Sequence, residues 1–315
     1  MKQQFITALE ENDLEGVRQV PKGDLHNHIT RGGNKRYITA WCGTAIPECP
    51  TFTDLGEMNR WNARHIKPLL PGRSGYEKRI EAAFVQAKTD GVQLLHMSVT
   101  IGEEEWFDGS IAALIQTIQS IHRRFAPELH FVPELAFLTH TPIQATCEKL
   151  EQYLEHNYFK SLDIFGDELA VPGFKRVFRM AKDKGLILKA HVGEFGTSDL
   201  VKQAVEELEL DQVQHGIAAA DSPEIMNWLA DHRIQLNVCP TSNLMLSRVA
   251  SYSSHPIRKL YDYGVKVTLN SDDMIIFDQS VSDEFINLYQ AGLFSAEELN
   301  TIRENALTDT NRKYS

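Results

Sequence analysis

Short apolar runs alternate with amphipathic helical stretches along most of this chain, and that order restricts the possible folds more than any other feature. Each run is rich in residues that favour strands. From residue 162 onward the runs recur about every 20 to 30 residues, close to the smallest βαβ unit, so successive strands should be parallel and adjacent. Eight such units predict a (β/α)8 TIM barrel. The runs are residues 24–29, 92–100, 129–137, 162–166, 186–193, 212–216, 234–239 and 265–271.

Helix boundary signals occur between these runs. Pro172 and Gly185 bracket an amphipathic stretch, as expected of a proline at the start of a helix and a glycine after its end. Ser222 is a candidate N-cap followed by Pro223 at the first helical position. A capping box beginning at Ser295 predicts a final helix. These signals support the alternation of strands and helices.

Two parts of the chain depart from the repeat. Residues 30–91 separate the first two strands by about twice the length of a single crossover helix, and they are interrupted by glycines and prolines. We expect them to form a lid inserted after strand 1. Residues 1–20 and 281–315 have helical patterns and lie outside the eight repeats. The sequence predicts one barrel domain, residues 1–315, with extra helices at both ends.

Charge and cysteine content exclude several functions. The chain has 43 acidic and 32 basic residues, a net charge of −11. This balance, without a basic cluster, argues against a nucleic-acid partner. No apolar run is long enough to span a membrane, and the first twenty residues do not resemble a signal peptide, so we expect a soluble, cytoplasmic protein with no membrane partner. The four cysteines have long, irregular spacings and are expected to be free thiols.

Potential metal ligands follow several of the predicted strands. His26 and His28 are two positions apart in the first strand, so their imidazoles should face the same side. This pair alone is weak evidence for a metal site. His191, His215 and the Asp272–Asp273 pair end later strands, where a TIM barrel places its catalytic groups. Because all of them fall at the same end of separate strands, the sequence predicts one joint site.

The motifs around these residues resemble those of the adenosine deaminase family in order and spacing. The resemblance extends from residue 21 to about residue 273, so it covers most of the chain. The motifs are DLHNHI (24–29), DIFGDE (163–168), HVGE (191–194), QHG (214–216), CPTSN (239–243) and LNSDD (269–273).

The resemblance implies one zinc ion per chain, bound by His26, His28, His191 and Asp272. Three nitrogen donors and a carboxylate suit Zn²⁺, and such a site lowers the pKa of a bound water to about 7. Asp272 is also expected among the catalytic groups, and His28 is expected to border the substrate.

The resemblance also assigns roles around a purine ring. His215 would act as a base and direct the activated water toward C6. Glu194 would give a proton to ring N1. Asp273 would bind at N7, and the backbone N–H of Gly166 would reach N3. Cys239 lies in the CPTSN turn, where a packing role is expected rather than a nucleophilic one.

The sequence departs from the family after His28. Thr30 stands where adenosine deaminases have an aspartate that binds the ribose 5′-hydroxyl. The loop that continues to Arg36 contains three basic residues, Arg31, Lys35 and Arg36. Loss of the carboxylate beside these cations leaves open a 5′-modified or 5′-phosphorylated adenosine as substrate. The alternative interpretation of this segment is a solvated basic loop.

The sequence therefore predicts a zinc-dependent hydrolytic deaminase of an adenine-type base or nucleoside that releases ammonia. A second hypothesis is another amidohydrolase activity on the same barrel. A third is a purine-binding protein without catalysis, which would have no need of both Glu194 and His215. The predicted partner is a small purine, and no oligomeric state is predicted.

Overall fold

Eight parallel strands pair in chain order and curl into a nearly closed barrel. The computed structural model describes residues 1–308. An isolated parallel bridge between Asn27 and Asp272 joins the two ends of the sheet. Each predicted run overlaps one strand, so the predicted TIM barrel is confirmed. The strands are β1 (Lys22–His28), β2 (Val92–Thr100), β3 (His130–Leu138), β4 (Ser161–Phe165), β5 (Ile187–Val192), β6 (Gln212–His215), β7 (Gln235–Val238) and β8 (Lys266–Leu269).

Helices surround this barrel because parallel strands need crossover connections that cover their outer face. The α-helices within the described residues are α1 (Lys2–Glu10), α2 (Leu14–Arg18), α3 (Lys35–Cys42), α4 (Leu55–His65), α5 (Gly72–Thr89), α6 (Ile111–Phe125), α7 (Ile143–Leu154), α8 (Lys175–Asp183), α9 (Ser198–Leu208), α10 (Pro223–Asp231), α11 (Pro240–Met245), α12 (Ile257–Asp262), α13 (Met274–Phe277), α14 (Val281–Gln290) and α15 (Ala296–Leu307). Short 3-10 helices lie at Lys67–Leu69, Glu103–Phe107, Glu168–Phe174, Ile217–Asp221 and Tyr252–Ser254.

The predicted helix boundaries hold in two of three cases. The Ser222 side chain accepts a hydrogen bond from the backbone of α10, whose first residue is Pro223. A capping box at Ser295 begins α15. The prediction that Pro172 opens a helix is wrong, because Pro172 lies inside the 3-10 helix and α8 begins after it. That 3-10 helix has its own N-cap. Regular α-helical hydrogen bonding starts after the 3-10 helix ends, at Lys175.

The predicted terminal helices are present, with α15 packed on the barrel and α1 packed against α15. α15 contacts β1 and β8. Where α15 meets the strands, Ala306 forms a small apolar cluster with Leu25, Leu94 and Val132. An alanine side chain at Gly23 would lie within 2.9 Å of Ala306, so this strand position needs a glycine. Residues 309–315, the end of the predicted helical region, lie outside the described residues.

The segment between β1 and β2 has two parts. α5 contacts β2 and α6, as an ordinary crossover helix does. α3, α4 and the residues around them form a separate apolar cluster that includes Ile38, Phe52 and Leu70. That cluster also contains Leu246 and Ile275, which follow β7 and β8. The additional structure therefore covers the carboxyl ends of the strands.

Two simpler expectations can be compared with the structure. The four cysteines are free. Within residues 1–308, no helix combines the length and the apolar character needed to span a membrane.

Candidate active site

Four predicted metal ligands meet at the carboxyl end of the barrel. His26 and His28 lie on β1, His191 lies on β5, and Asp272 follows β8. The backbone N–H of Asp272 donates to the carbonyl of His26, which holds the turn after β8 against β1. These residues are far apart in sequence, and the closure of the barrel brings them together.

Three pairs of donor atoms in this group are separated by distances that suit neighbouring ligands of a tetrahedral zinc ion. The Nε2 atoms of His26 and His191 are 3.0 Å apart. Oδ1 of Asp272 lies 3.1 Å from Nε2 of His28 and 3.5 Å from Nε2 of His26. Bonds of about 2.0–2.1 Å in a tetrahedral site place neighbouring donors roughly 3.4 Å apart. These three spacings, together with the His26, His28 and His191 nitrogens lying within 4.8 Å of one another, are compatible with ligands of a single metal ion.

The outward-facing nitrogen of each imidazole has its own polar neighbour. Nδ1 of His28 is 2.8 Å from the hydroxyl of Ser98, and Nδ1 of His26 is 3.3 Å from the carbonyl of Asn237. Nδ1 of His191 is 2.9 Å from Oδ2 of Asp163, although the angle is too poor for a hydrogen bond. Such contacts orient imidazoles with Nε2 directed at a metal.

Charges within the group favour an anionic Asp272 among the imidazoles. Burial would raise the pKa of Asp272, but His26, His28 and His215 hold it well below its usual value. Burial lowers the pKa of His26 well below its usual value. Both effects favour the protonation states that bind metals, a neutral imidazole and a carboxylate. His28 differs, because its burial is outweighed by Asp272 and Asp273, which raise its pKa to about 9, so a metal would have to displace the His28 proton.

Two further predicted groups lie beside the four ligands. Glu194 is on the loop after β5, and its side chain is 5% exposed. Burial, followed by repulsion from the carboxylates of Asp272 and Glu168, raises the pKa of Glu194 well above its usual value. Nε2 of His215 is 3.6 Å from Oε2 of Glu194 and 3.9 Å from Oδ2 of Asp272. The site thus combines a candidate proton donor with a neighbouring imidazole.

Comparison with known proteins gives the relationship. The adenosine deaminase family model matches residues 99–311. A Treponema pallidum protein described as an adenosine/adenine deaminase is 30% identical over 92% of this chain and 99% of its own length. The chain belongs to the adenosine deaminase family. It is accordingly a hydrolase acting on a C–N bond.

Solved structures share the fold of this family member at lower identity. An adenine deaminase from Arthrobacter aurescens superimposes with a TM-score of 0.80 at 22% identity, over 93% of this chain and 94% of the other. A zinc-bound amidohydrolase from Burkholderia ambifaria gives a TM-score of 0.77 at 20% identity, over 96% and 88%. Both cover nearly all of the barrel and its additional helices.

Glu168, a residue without a role predicted from the sequence, supports the loop carrying Glu194. Its carboxylate accepts the backbone N–H groups of residues 193–196. The DIFGDE motif marked this position as part of a family loop, but nothing in the motif indicated that its last carboxylate would face another loop. This contact fixes the backbone on both sides of Glu194.

Asn243 and His255 are also absent from the predicted site. Nδ2 of Asn243 is 3.3 Å from Oε1 of Glu194 and 3.2 Å from Nδ1 of His215. His255 contacts the oxygen of Asn243. The CPTSN motif was a possible signal for Asn243, whereas no motif marked His255.

The predicted substrate-binding residues Asp273, Gly166 and Thr30 differ in their contacts and in their surroundings. Oδ2 of Asp273 is 2.8 Å from Nη1 of Arg31, while Oδ1 is buried and has no hydrogen-bond partner among the described residues. Gly166 follows β4 with a φ of 122°, and a side chain there would collide with Thr139. Thr30 is half-buried in the turn after β1.

The basic segment after Thr30 does not form a cluster of free cations. Arg31 is paired with Asp273 and also donates to Asn59 of α4, at 2.9 Å. Lys35 is buried in the first turn of α3, whereas Arg36 is exposed. The charge of Arg31 is therefore already balanced by the carboxylate of Asp273.

Proposed function

We propose that this family member is a zinc-dependent deaminase of an adenine-type purine, with His26, His28, His191 and Asp272 as the metal ligands. The observation that carries the proposal is the meeting of these side chains at one end of the barrel beside Glu194, a buried carboxyl group whose pKa is raised in part by repulsion from Asp272. When bound, zinc acts as a Lewis acid that lowers the pKa of water to about 7. The rest of the chemistry belongs to the side chains of the chain.

Glu194 is the proton donor in this proposal. Its raised pKa favours the protonated carboxyl group, which can give a proton to ring N1. Protonation of N1 makes C6 more electrophilic. A water oxygen then bonds to C6 while one water proton passes to Asp272. The C6–N bond breaks as Asp272 returns this proton to the amino group, which leaves as ammonia, and the second water proton restores the Glu194 carboxyl group as the C6 carbonyl forms. The products are the 6-oxo purine and ammonia.

His215 and Asp272 lie where they can control the attacking oxygen. Both side chains are buried, and Oδ2 of Asp272 faces Nε2 of His215. In this arrangement Asp272 accepts the proton lost by the water, while His215 holds the oxygen in line with C6. Asp273 and the backbone N–H of Gly166 are proposed to read the N7 and N3 edges of the ring, with His28 and Thr30 bordering the substrate.

Among adenine-type substrates, the arrangement of Asp273 favours the free base. The Arg31 guanidinium favours a carboxylate at this position, and a carboxylate accepts hydrogen bonds rather than donating them. Free adenine can present an N–H at N7, whereas N7 of a nucleoside has only a lone pair. Thr30 offers no charged acceptor for a 5′-hydroxyl, and the pairing of Arg31 argues against a 5′-phosphate site.

A substrate panel tests this proposal. The zinc-loaded protein is incubated with adenine, adenosine, deoxyadenosine, a 5′-deoxy-5′-substituted adenosine and AMP, and ammonia release is measured. We expect the highest kcat/KM with adenine, and we expect Thr30→Asp to raise the activity on adenosine relative to adenine. Preference for AMP would support the phosphorylated alternative. Purine binding without ammonia release would support a non-catalytic purine-binding protein. If no purine in the panel bound or released ammonia, the result would favour another amidohydrolase activity.

A further inference from the structure

A chain of hydrogen bonds connects the backbone after β7 to the two groups beside the metal ligands. It runs from Ile257 through His255 and Asn243 to Glu194 and His215. All four side chains in it are buried, and those of Asn243 and His255 are 0% and 2% exposed. None of the residues in this series of hydrogen bonds is a proposed metal ligand. His255 and Asn243 have no role predicted from the sequence.

The direction of the hydrogen bonds begins at His255. Its Nδ1 accepts the backbone N–H of Ile257 at 3.1 Å, so this nitrogen carries no proton. Burial lowers the pKa of His255 to about 3, which keeps the imidazole neutral. The single ring proton is therefore on Nε2, which lies 3.3 Å from Oδ1 of Asn243 and donates to it.

The donation from His255 fixes the orientation of the Asn243 amide. If the amide were reversed, its NH2 group would face the N–H of His255, donor against donor. With Oδ1 directed at His255, the two hydrogens of Nδ2 face Glu194 and His215. They reach Oε1 of Glu194 at 3.3 Å and Nδ1 of His215 at 3.2 Å.

We infer that Asn243, oriented by His255, is a positioning residue that holds the Glu194 carboxyl group and places the ring proton of His215 on Nε2. Because Nδ1 of His215 accepts an N–H from the amide, it carries no proton of its own. The proton on Nε2 then points toward Asp272 and Glu194. His215 is thereby a hydrogen-bond donor to the reacting oxygen, and the predicted role as a base passes to Asp272.

This inference rests on the proposed deamination only for its catalytic meaning. The protonated nitrogen of His215 is a property of the protein and can be measured without a substrate. Long-range ¹H–¹⁵N correlation spectra of zinc-loaded protein labelled at histidine distinguish the two neutral forms of each imidazole. The His215→Gln variant identifies the signals of His215 by their loss.

The decisive variant is Asn243→Asp, which keeps the size of the side chain and replaces the NH2 donor by an acceptor oxygen. We expect His215 to carry its proton on Nε2 in the parental protein and on Nδ1 in the variant. We also expect kcat to fall by about 10²-fold, with KM changed less than about threefold. Ser242→Ala is the matched control, because the buried Ser242 hydroxyl has no hydrogen-bond partner among the described residues and should leave kcat unchanged.

A second pair of variants covers the case in which Asn243→Asp does not fold. His255→Gln can still donate to Asn243, whereas His255→Phe cannot. We expect His255→Gln to retain the Nε2-protonated form of His215 and His255→Phe to yield a mixture of both forms. A parental His215 protonated on Nδ1, or identical spectra in the two His255 variants, would overturn the inference. A correct His215 spectrum without turnover of any purine would instead reject only the proposed function.

Discussion

Replacing Glu168 with glutamine is expected to loosen the loop carrying Glu194 while leaving the metal ligands in place. The carboxylate accepts four backbone N–H groups, two at each oxygen. A glutamine keeps one oxygen, but its NH2 group faces the two N–H groups that the other oxygen accepted. A hydrogen bond to a charged group contributes about 1.5–3 kcal/mol, so the loss of two removes roughly 3–6 kcal/mol of loop stabilisation.

The loosened loop should reduce catalysis more than metal binding. A displacement of about 1 Å at a reacting group can cost on the order of 10²-fold in rate, so we expect kcat/KM of Glu168→Gln to fall by about that factor. Metal analysis should show parental zinc content, and hydrogen exchange should be faster at the amides of residues 193–196. Asp167→Asn is a suitable control, because Asp167 is exposed and caps the next turn through an oxygen that asparagine retains. Parental exchange and parental turnover in Glu168→Gln would refute the reasoning.

Three other changes test separate parts of the site. Asp272→Ala should abolish stoichiometric zinc binding, since it removes the anionic donor, and full occupancy by metal analysis would contradict the ligand assignment. Glu194→Gln should retain zinc and purine binding but lower kcat by at least about 10²-fold, because an amide cannot deliver a proton; parental turnover would exclude this donor. Burial raises the pKa of Glu284 to about 8, whereas a glutamate in an unfolded chain has a pKa of about 4.3. The folded state therefore binds the Glu284 proton more tightly than the unfolded state does. As a result, the free energy of unfolding falls as the pH rises from about 4.3 to about 8. Glu284→Gln should therefore be more stable than the parent at about pH 8, by at most about 5 kcal/mol, but not at about pH 5; denaturant unfolding giving equal differences at both pH values would contradict this.

The barrel was predictable because its signals are local and repeated. A parallel strand is covered on both faces, so it appears as a short apolar run that can be recognised without knowing its neighbours. All six residues of β5 are buried, including Lys189 and His191. The positions of His26, His28 and His191 at strand ends follow directly from such runs. Their convergence then follows from the topology of the barrel.

The residues that support the site were not predictable in the same way. Glu168 and Asn243 each form a hydrogen bond with Glu194, which is far from both in sequence. No sequence spacing indicates that either residue contacts Glu194. Arg31 is a related case, because its sequence neighbours suggested a free basic loop. Its pairing with Asp273 depends on the turn after β8 lying against the turn after β1, which only the closed barrel determines.

Segments that follow the strands at the carboxyl end of the barrel contact both the site and the inserted helices, through residues one to three positions apart. Glu194 faces the metal ligands, while the next residue, Phe195, packs against the apolar cluster of α3 and α4. Asn243 is followed by Leu246 in the same cluster, and Asp273 is followed by Ile275. Because the protein interior is closely packed, a shift of the inserted helices must move these loops as well. Packing of the insertion is therefore part of the geometry that holds the reacting groups, in addition to covering them.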